Sequence, residues 1–170
     1  MVSSYYISYL YLLYFNPVSM KLLLLISIIL SSTLIFGQNE NPNYNDSLAK
    51  LYESDDYGMK SYFFVLLKSG KNTSTDKVFL NKCFSAHMEN INNLVKQGKL
   101  IVAGPFGNNE DDMRGLFIIN AKTIEEVNTL LINDTAIQED VLSAHIYPWY
   151  GSAALPSYLE DSDKIWKKSH

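Results

Sequence analysis

The chain of 170 residues carries 14 Lys and Arg against 18 Asp and Glu, a formal net charge of -4, with 47% hydrophobic residues and one cysteine. A mildly acidic chain with scattered basic residues has no electrostatic footprint for nucleic acid, so DNA and RNA are not expected partners. The lone Cys83 excludes an intramolecular disulfide and a cysteine-based metal cluster, and its apolar neighbours read as a buried small hydrophobe.

Residues 1–37 read as a targeting segment. Residues 1–19 are rich in Tyr and Leu and carry no charge, which suggests an over-extended start with Met20 as the initiator. Met20-Lys21 is followed by the apolar run Leu22 to Leu30, then small residues up to Gly37, the pattern of a secretory signal peptide. Cleavage near Gly37 would leave a chain starting at Gln38, exported to the periplasm or the medium, with no stable membrane anchor. Removing Lys21 takes the net charge from -4 to about -5. A long hydrophobic anchor from Tyr5 to Phe36 is the rival reading, but Asn16-Pro17 interrupts it.

Residues 38–59 are polar and poor in large apolar side chains, as in a linker, with a short helix expected over Asp46 to Leu51. The domain proper is expected over residues 60–155. Ser61 to Lys68 is a compact aromatic and branched run ending at Ser69-Gly70, a strand. From Asp76 to Gln97 the period changes: Leu80, Phe84, His87, Ile91 and Leu94 recur at helical steps, with Thr75 as the expected N-cap and Gly98 as the stop. Leu100 to Ala103 and Arg114 to Ala121 are two further strands around a polar, acidic tip. Thr123 is expected to cap a short helix that turns Val127, Leu130 and Leu131 inward, with one more turn over Asp134 to Gln138. Val141 to Tyr147 is the fourth strand, closing on Pro148-Trp149-Tyr150-Gly151. Residues 156–170 form a polar tail, either loose or a short docked helix.

The order β-α-β-β-α-β predicts an α+β ferredoxin-like plait: a four-stranded antiparallel sheet with two helices on one face. The other face needs a cover, and a second copy packed sheet against sheet is the expected one, making a homodimer.

His87 is the most informative residue, because it stands on the apolar stripe of the long helix. It is either a core histidine satisfied by a backbone carbonyl or a proton-transfer residue, since imidazole titrates near neutrality. Arg114, the sole arginine, is a candidate to grip a substrate carboxylate; pairing with Glu110, Asp111 or Asp112 is the structural alternative. Gly104-Pro105-Phe106-Gly107 lacks the spacing of a phosphate loop and reads as a rigid strand exit lining a pocket with Pro105 and Phe106. Trp149 and Tyr150 suit a pocket wall or a dimer contact. Ser152 is a candidate ligand contact at the pocket mouth. His87, His145 and His170 carry no HxxxH or HxH metal signature, so neither metal nor cofactor is expected.

The strings His87-Met88-Glu89-Asn90-Ile91, Gln97-Gly98-Lys99-Leu100, Ala103-Gly104-Pro105-Phe106 and Arg114-Gly115-Leu116-Phe117 occur in that order. They are followed by Asn133-Asp134 and by Pro148-Trp149-Tyr150-Gly151-Ser152. Over roughly Tyr62 to Leu155 this pattern resembles the YciI-like (YCII-related) domain family. The resemblance implies a dimeric plait related to muconolactone isomerases and to a dehydrochlorinase of chlorinated hydroxyquinols. It also implies a His–Asp pair falling on His87 and Asp134. Asp134 has a local reading too, as the cap of a turn, and Asp140 and Asp112 are alternative carboxylates. Two features depart from the family: export, and His145 where relatives carry an acidic residue. A cluster of His87, Asp134 and His145 is a lesser possibility for a metal. The expected function is small-molecule isomerase or lyase chemistry through His87 and Asp134. The alternative is a non-catalytic dimeric module that binds a small ligand or a partner.

Overall fold

The computed structural model describes residues 17–32 and 41–167. The expected cleavage region at Gly37, the residues before Pro17, and His170 lie outside these ranges. The chain divides into two units, Met1–Tyr44 and Asn45–His170. In the first, helix α1 (Pro17–Ser32) carries the apolar run. Pro17 opens it, where the missing N–H costs nothing because the first-turn N–H groups have no intrahelical partner. No helix among the described residues is long and apolar enough to cross a membrane.

The second unit begins before the expected domain start. Helix α2 (Asp46–Leu51) is capped by Asn45, whose side chain accepts from the Leu48 N–H. Glu53 then reaches Lys60 at 2.7 Å and Lys122 at 3.3 Å, so part of the polar segment expected to be a linker is tied to the domain. The main elements follow in chain order: β1 (Met59–Ser69), α3 (Lys77–Lys96), β2 (Leu100–Pro105), β3 (Met113–Ile119), α4 (Ile124–Leu131), α5 (Thr135–Gln138) and β4 (Leu142–Ser152). The strands form one antiparallel sheet in the order β2-β3-β1-β4. The architecture is α+β and consistent with the ferredoxin-like plait.

The alternation of β1 distributes its side chains between two apolar layers. Val65 and Leu67 join Phe117 and Ile119 of β3, Cys83 and Leu94 of α3, Val127 and Leu131 of α4, and Ala136 of α5. Full burial of each large apolar side chain in such a layer contributes about 1.5–3 kcal/mol. On the opposite face Tyr62 packs with Ile101 and Ile118.

Three local expectations change. The cap of α3 is Asp76, not Thr75: its carboxylate accepts from the Val78 and Phe79 N–H groups. A carboxylate there also complements the helix dipole, which a hydroxyl one residue earlier does not. At the other end Gly98, at φ +66, supports the paired bonds Gly98 N–H to Val95 O and Lys99 N–H to Leu94 O that finish the helix. Strand β4 does not close at Pro148; it continues to Ser152, pairing Pro148 with Phe63 and Trp149 with Tyr62. It is an edge strand, where a residue without an N–H is tolerated.

The third change concerns the second sheet face. The chain itself covers part of it. After β4 come a 3₁₀ turn (Leu155–Tyr158) and helix α6 (Leu159–Ile165), so the polar tail is ordered through these elements. Leu155 and Leu159 pack against Tyr62, Ile101 and Ile118, and the Tyr158 hydroxyl donates to the Ile101 carbonyl. Ile101 lies where the β2–β3 register shifts between Leu100 and Val102. Towards β4, Tyr147 (52%) and Trp149 (38%) remain exposed.

Candidate active site

His87 projects from the buried stripe Cys83, His87, Asn90 and Leu94 of α3. Its imidazole lies face to face with Phe117 of β3, with centroids 5.9 Å apart and planes at 25°. The edge of Phe84, one turn earlier on α3, stands at 6.3 Å and 89°. Phe84 also lines an open groove of about 690 Å³ on the outer side of α3, with Asn81, Ser85 and Met88. Two aromatic rings and the helix therefore fix the plane of the imidazole.

Its polar partner is not a backbone carbonyl but Asp134. His87 Nδ1 and Asp134 Oδ2 are 2.6 Å apart, with Asp134 fully buried and the histidine side chain 10% exposed. Asp134 is also the N-cap of α5, and its two oxygens divide the work. Oδ1 accepts from Ala136 N–H (3.1 Å) and Ile137 N–H (3.4 Å), while Oδ2 faces the imidazole. The two readings of this residue in the sequence, turn cap and histidine partner, describe one side chain. An ionised carboxylate only accepts hydrogen bonds, so Nδ1 carries the proton and the Nε2 lone pair is available in the neutral ring. Nε2 has no partner among the described residues, and it is not among the fully enclosed unpartnered atoms, so solvent reaches it. A carboxylate that orients a histidine and supports its protonated form is the arrangement general acid–base chemistry needs.

The other sequence candidates are distributed unevenly. Asp112 and Asp140 are exposed turn residues with φ +57 and +55, and neither approaches the imidazole. Cross-strand pairing of Ala103 with Phe117 and Pro105 with Gly115 puts Ala103 and Pro105 on the His87 side of the sheet. Gly104 pairs with Leu116 and belongs to the other side; Phe106 follows the strand, 37% exposed. Arg114 sits where the β1–β3 register shifts, without a Cα partner on β1. It is exposed and makes no ion pair among the described residues, so the pairing with Glu110, Asp111 or Asp112 does not form. Asn109 orders the tip instead: Nδ2 donates to the Gly107 and Met113 carbonyls, and Oδ1 accepts from the Asp111 and Met113 N–H groups.

Two residues are not brought to the site. Ser152 pairs with Met59, whereas Phe117 pairs with Val65. At about 3.4 Å per residue that separation along β1 is roughly 20 Å. The Ser152 hydroxyl accepts from Ala154 N–H instead. His145 pairs with Leu66, whose neighbours Val65 and Leu67 face the helices, so its ring lies on the opposite side of the sheet from His87. There it touches Ser143 Oγ at 3.5 Å. A cluster of His87, Asp134 and His145 is thereby excluded, and no group of three or more His, Cys, Asp or Glu suited to a metal occurs among the described residues.

Sequence reasoning also missed a brace at the far end of the sheet. The Tyr150 hydroxyl donates to Asp55, which also accepts from Met59 N–H and Tyr57 N–H. The Tyr150 bond, then Met59, holds the Asp55 carboxyl below its ordinary range, and the same bond raises the Tyr150 phenol. Trp149 lies against Tyr62, with ring centroids 5.8 Å apart. The apolar surroundings of Asp55, Asp56 and Tyr57 in the sequence are too sparse to have marked this contact.

No family model matches the chain. No curated protein matches it either. Among solved structures it is similar to 5-chloro-2-hydroxyhydroquinone dehydrochlorinase from Burkholderia phenoliruptrix AC1100, solved in complex with 2,5-dihydroxybenzoquinone. The identity is 21%, with 51% of this chain and 92% of that chain covered and a TM-score of 0.37.

Proposed function

We propose that this protein is an exported small-molecule enzyme of the isomerase or lyase type, in which His87 moves the proton and Asp134 positions it. The observation that carries the reading is the 2.6 Å contact between a buried imidazole and a fully buried carboxylate that two backbone N–H groups hold in place. Nε2 takes a proton from a carbon beside a carbonyl, or from a phenol, and returns it elsewhere on the molecule. Phe84, partly exposed beside the imidazole, favours a planar ligand, and the unpaired Arg114 is a candidate grip for a carboxylate at the strand end, next to Gly104, Pro105 and Phe106. The motif resemblance to the YciI-like family points to the same chemistry.

The test substrates are an unsaturated lactone and a hydroxyquinol. His87→Gln retains an amide that can donate to Asp134, so the variant is expected to fold and to lose turnover at least 100-fold. Turnover retained within a few-fold would reduce His87 to a core residue. The second reading, a non-catalytic module, is supported by the same partly exposed Phe84, which can stack on a planar ligand without any chemistry. Ligand binding with no turnover of either compound would favour it.

Homodimerisation through the strip of half-buried Leu66 and exposed His145, Tyr147 and Trp149 belongs to the same proposal. Tyr147→Cys in a Cys83→Ala background should cross-link to a disulfide dimer on non-reducing gels, and a monomer under oxidation would count against the face. Export is tested by fractionating cells and sequencing the N-terminus, with Gln38 expected at the start.

A further inference from the structure

Proton abstraction at a carbon next to a carbonyl leaves negative charge on the carbonyl oxygen, and an enzyme needs a donor waiting for it. His87 and Asp134 do not supply one: Nδ1 is engaged by the carboxylate, and Nε2 holds the proton just taken. One turn further along the same buried stripe stands Asn90, 8% exposed, in the interior of α3. Its Nδ2 is fully enclosed with no hydrogen-bond partner, and it is the one such side-chain atom among the described residues. A buried donor left unpaired is destabilising, and Asn is a weak helix former, so Leu would suit this position better on stability alone. Side chains three apart on a helix are neighbours, with Cβ atoms about 5–6 Å apart, so a turn of the enclosed Asn90 amide toward His87 lets both groups serve one small ligand.

We infer that Asn90 is the oxyanion donor of the His87 site, its Nδ2–H bonding to the oxygen that gains charge when Nε2 takes the proton; this rests on the proton-transfer reading above. The substrate C–H bond breaks and the proton joins Nε2. The electron pair forms the C=C bond of an enolate, and the carbonyl pair moves onto the oxygen that Asn90 faces. Return of the proton from Nε2 to another carbon restores the carbonyl and frees the amide. The ligand class is an enolate or phenolate oxygen on a planar molecule.

The experiment titrates p-nitrophenolate, whose oxygen carries such a charge, into the full chain and into Asn90→Leu, Asn90→Asp and His87→Gln, with thermal unfolding of each. Asn90→Leu is expected to unfold at the wild-type temperature or above it and to bind at least 10-fold more weakly. Asn90→Asp, of equal size with an acceptor replacing the donor, should weaken binding at least as much, and it decides the matter if the Leu variant does not fold. Retained affinity in either folded variant overturns the assignment, and so does a fall of several degrees for Asn90→Leu with affinity unchanged. If His87→Gln weakens binding while the Asn90 variants do not, the His87 reading stands and this inference falls. A wild-type chain that does not bind p-nitrophenolate overturns both.

Discussion

Among the described residues one imidazole faces each side of the sheet, and their circumstances differ in every respect that matters for the proposed chemistry. His87 is buried, stacked on Phe117 and bonded to a fully buried carboxylate, with one nitrogen left open. His145 is exposed, pairs across the ladder with Leu66, and among the described residues has the one long polar contact to Ser143. The helix face has been given a fixed polar pair inside an apolar layer. The opposite face carries aromatic surface that the 3₁₀ turn and α6 cover over one part only. Histidine content says nothing about a site; the carboxylate and the rings that restrict the imidazole do.

The largest expected effect that would break this contrast is at Asp134. Asp134→Ala removes the cap of α5 and leaves His87 without its partner, at a cost of about 3–5 kcal/mol measured by urea unfolding. Asp134→Asn keeps a capping oxygen and should cost clearly less while lowering turnover as strongly as His87→Gln. Equal stability losses for the two variants would show that the charge, not the cap, carries the structural role. On the other face, Leu159→Asp places a charge against Tyr62, Ile101 and Ile118 and should release α6 from the sheet. The expected loss is about 1–3 kcal/mol by thermal unfolding, with the turnover proposed for His87 unchanged. Loss of turnover in that variant would mean that the two faces are coupled.

A pH effect on stability is expected from three surface carboxylates. Glu53 is held below its ordinary range by Lys60 and then Lys122. Glu126 is held down by the Lys122 backbone N–H and then by Lys99, and Asp55 by Tyr150. Their stabilisation is fully present above the unfolded carboxylate values, about 4, and is lost as pH falls through the lowered folded values. Acid unfolding below about pH 4 is therefore expected, and Glu126→Gln should shallow that limb in a series of melting temperatures. The smallest effect is expected for His145→Ala, within about 0.5 kcal/mol in stability and with turnover intact. A large loss in the monomer would contradict the reading of this ring as open surface.

Much of the fold was legible locally. The helical recurrence of Leu80, Phe84, His87, Ile91 and Leu94 and the stop at Gly98 mark α3, and Thr123 with Glu126 marks the start of α4. The continuation of β4 beyond Pro148 was not legible, since proline reads as a stop until the strand is known to be an edge. The face of His145 was hidden for a related reason. Ala144 and Ile146 alternate with His145, Tyr147 and Trp149, so both sides of β4 carry apolar residues and the pattern alone does not say which one meets the helices.

The sequence by itself determined that an imidazole lies on the apolar stripe of a helix and that a turn begins at Asp134, because helix period and capping are properties of neighbouring residues. Only the tertiary structure decided that these two side chains, 47 residues apart, meet at 2.6 Å, that Arg114 finds no acid among the described residues, and that Ser152 and His145 stand elsewhere. Such contacts depend on strand order and register, which are settled by how the whole apolar layer packs and not by any one segment.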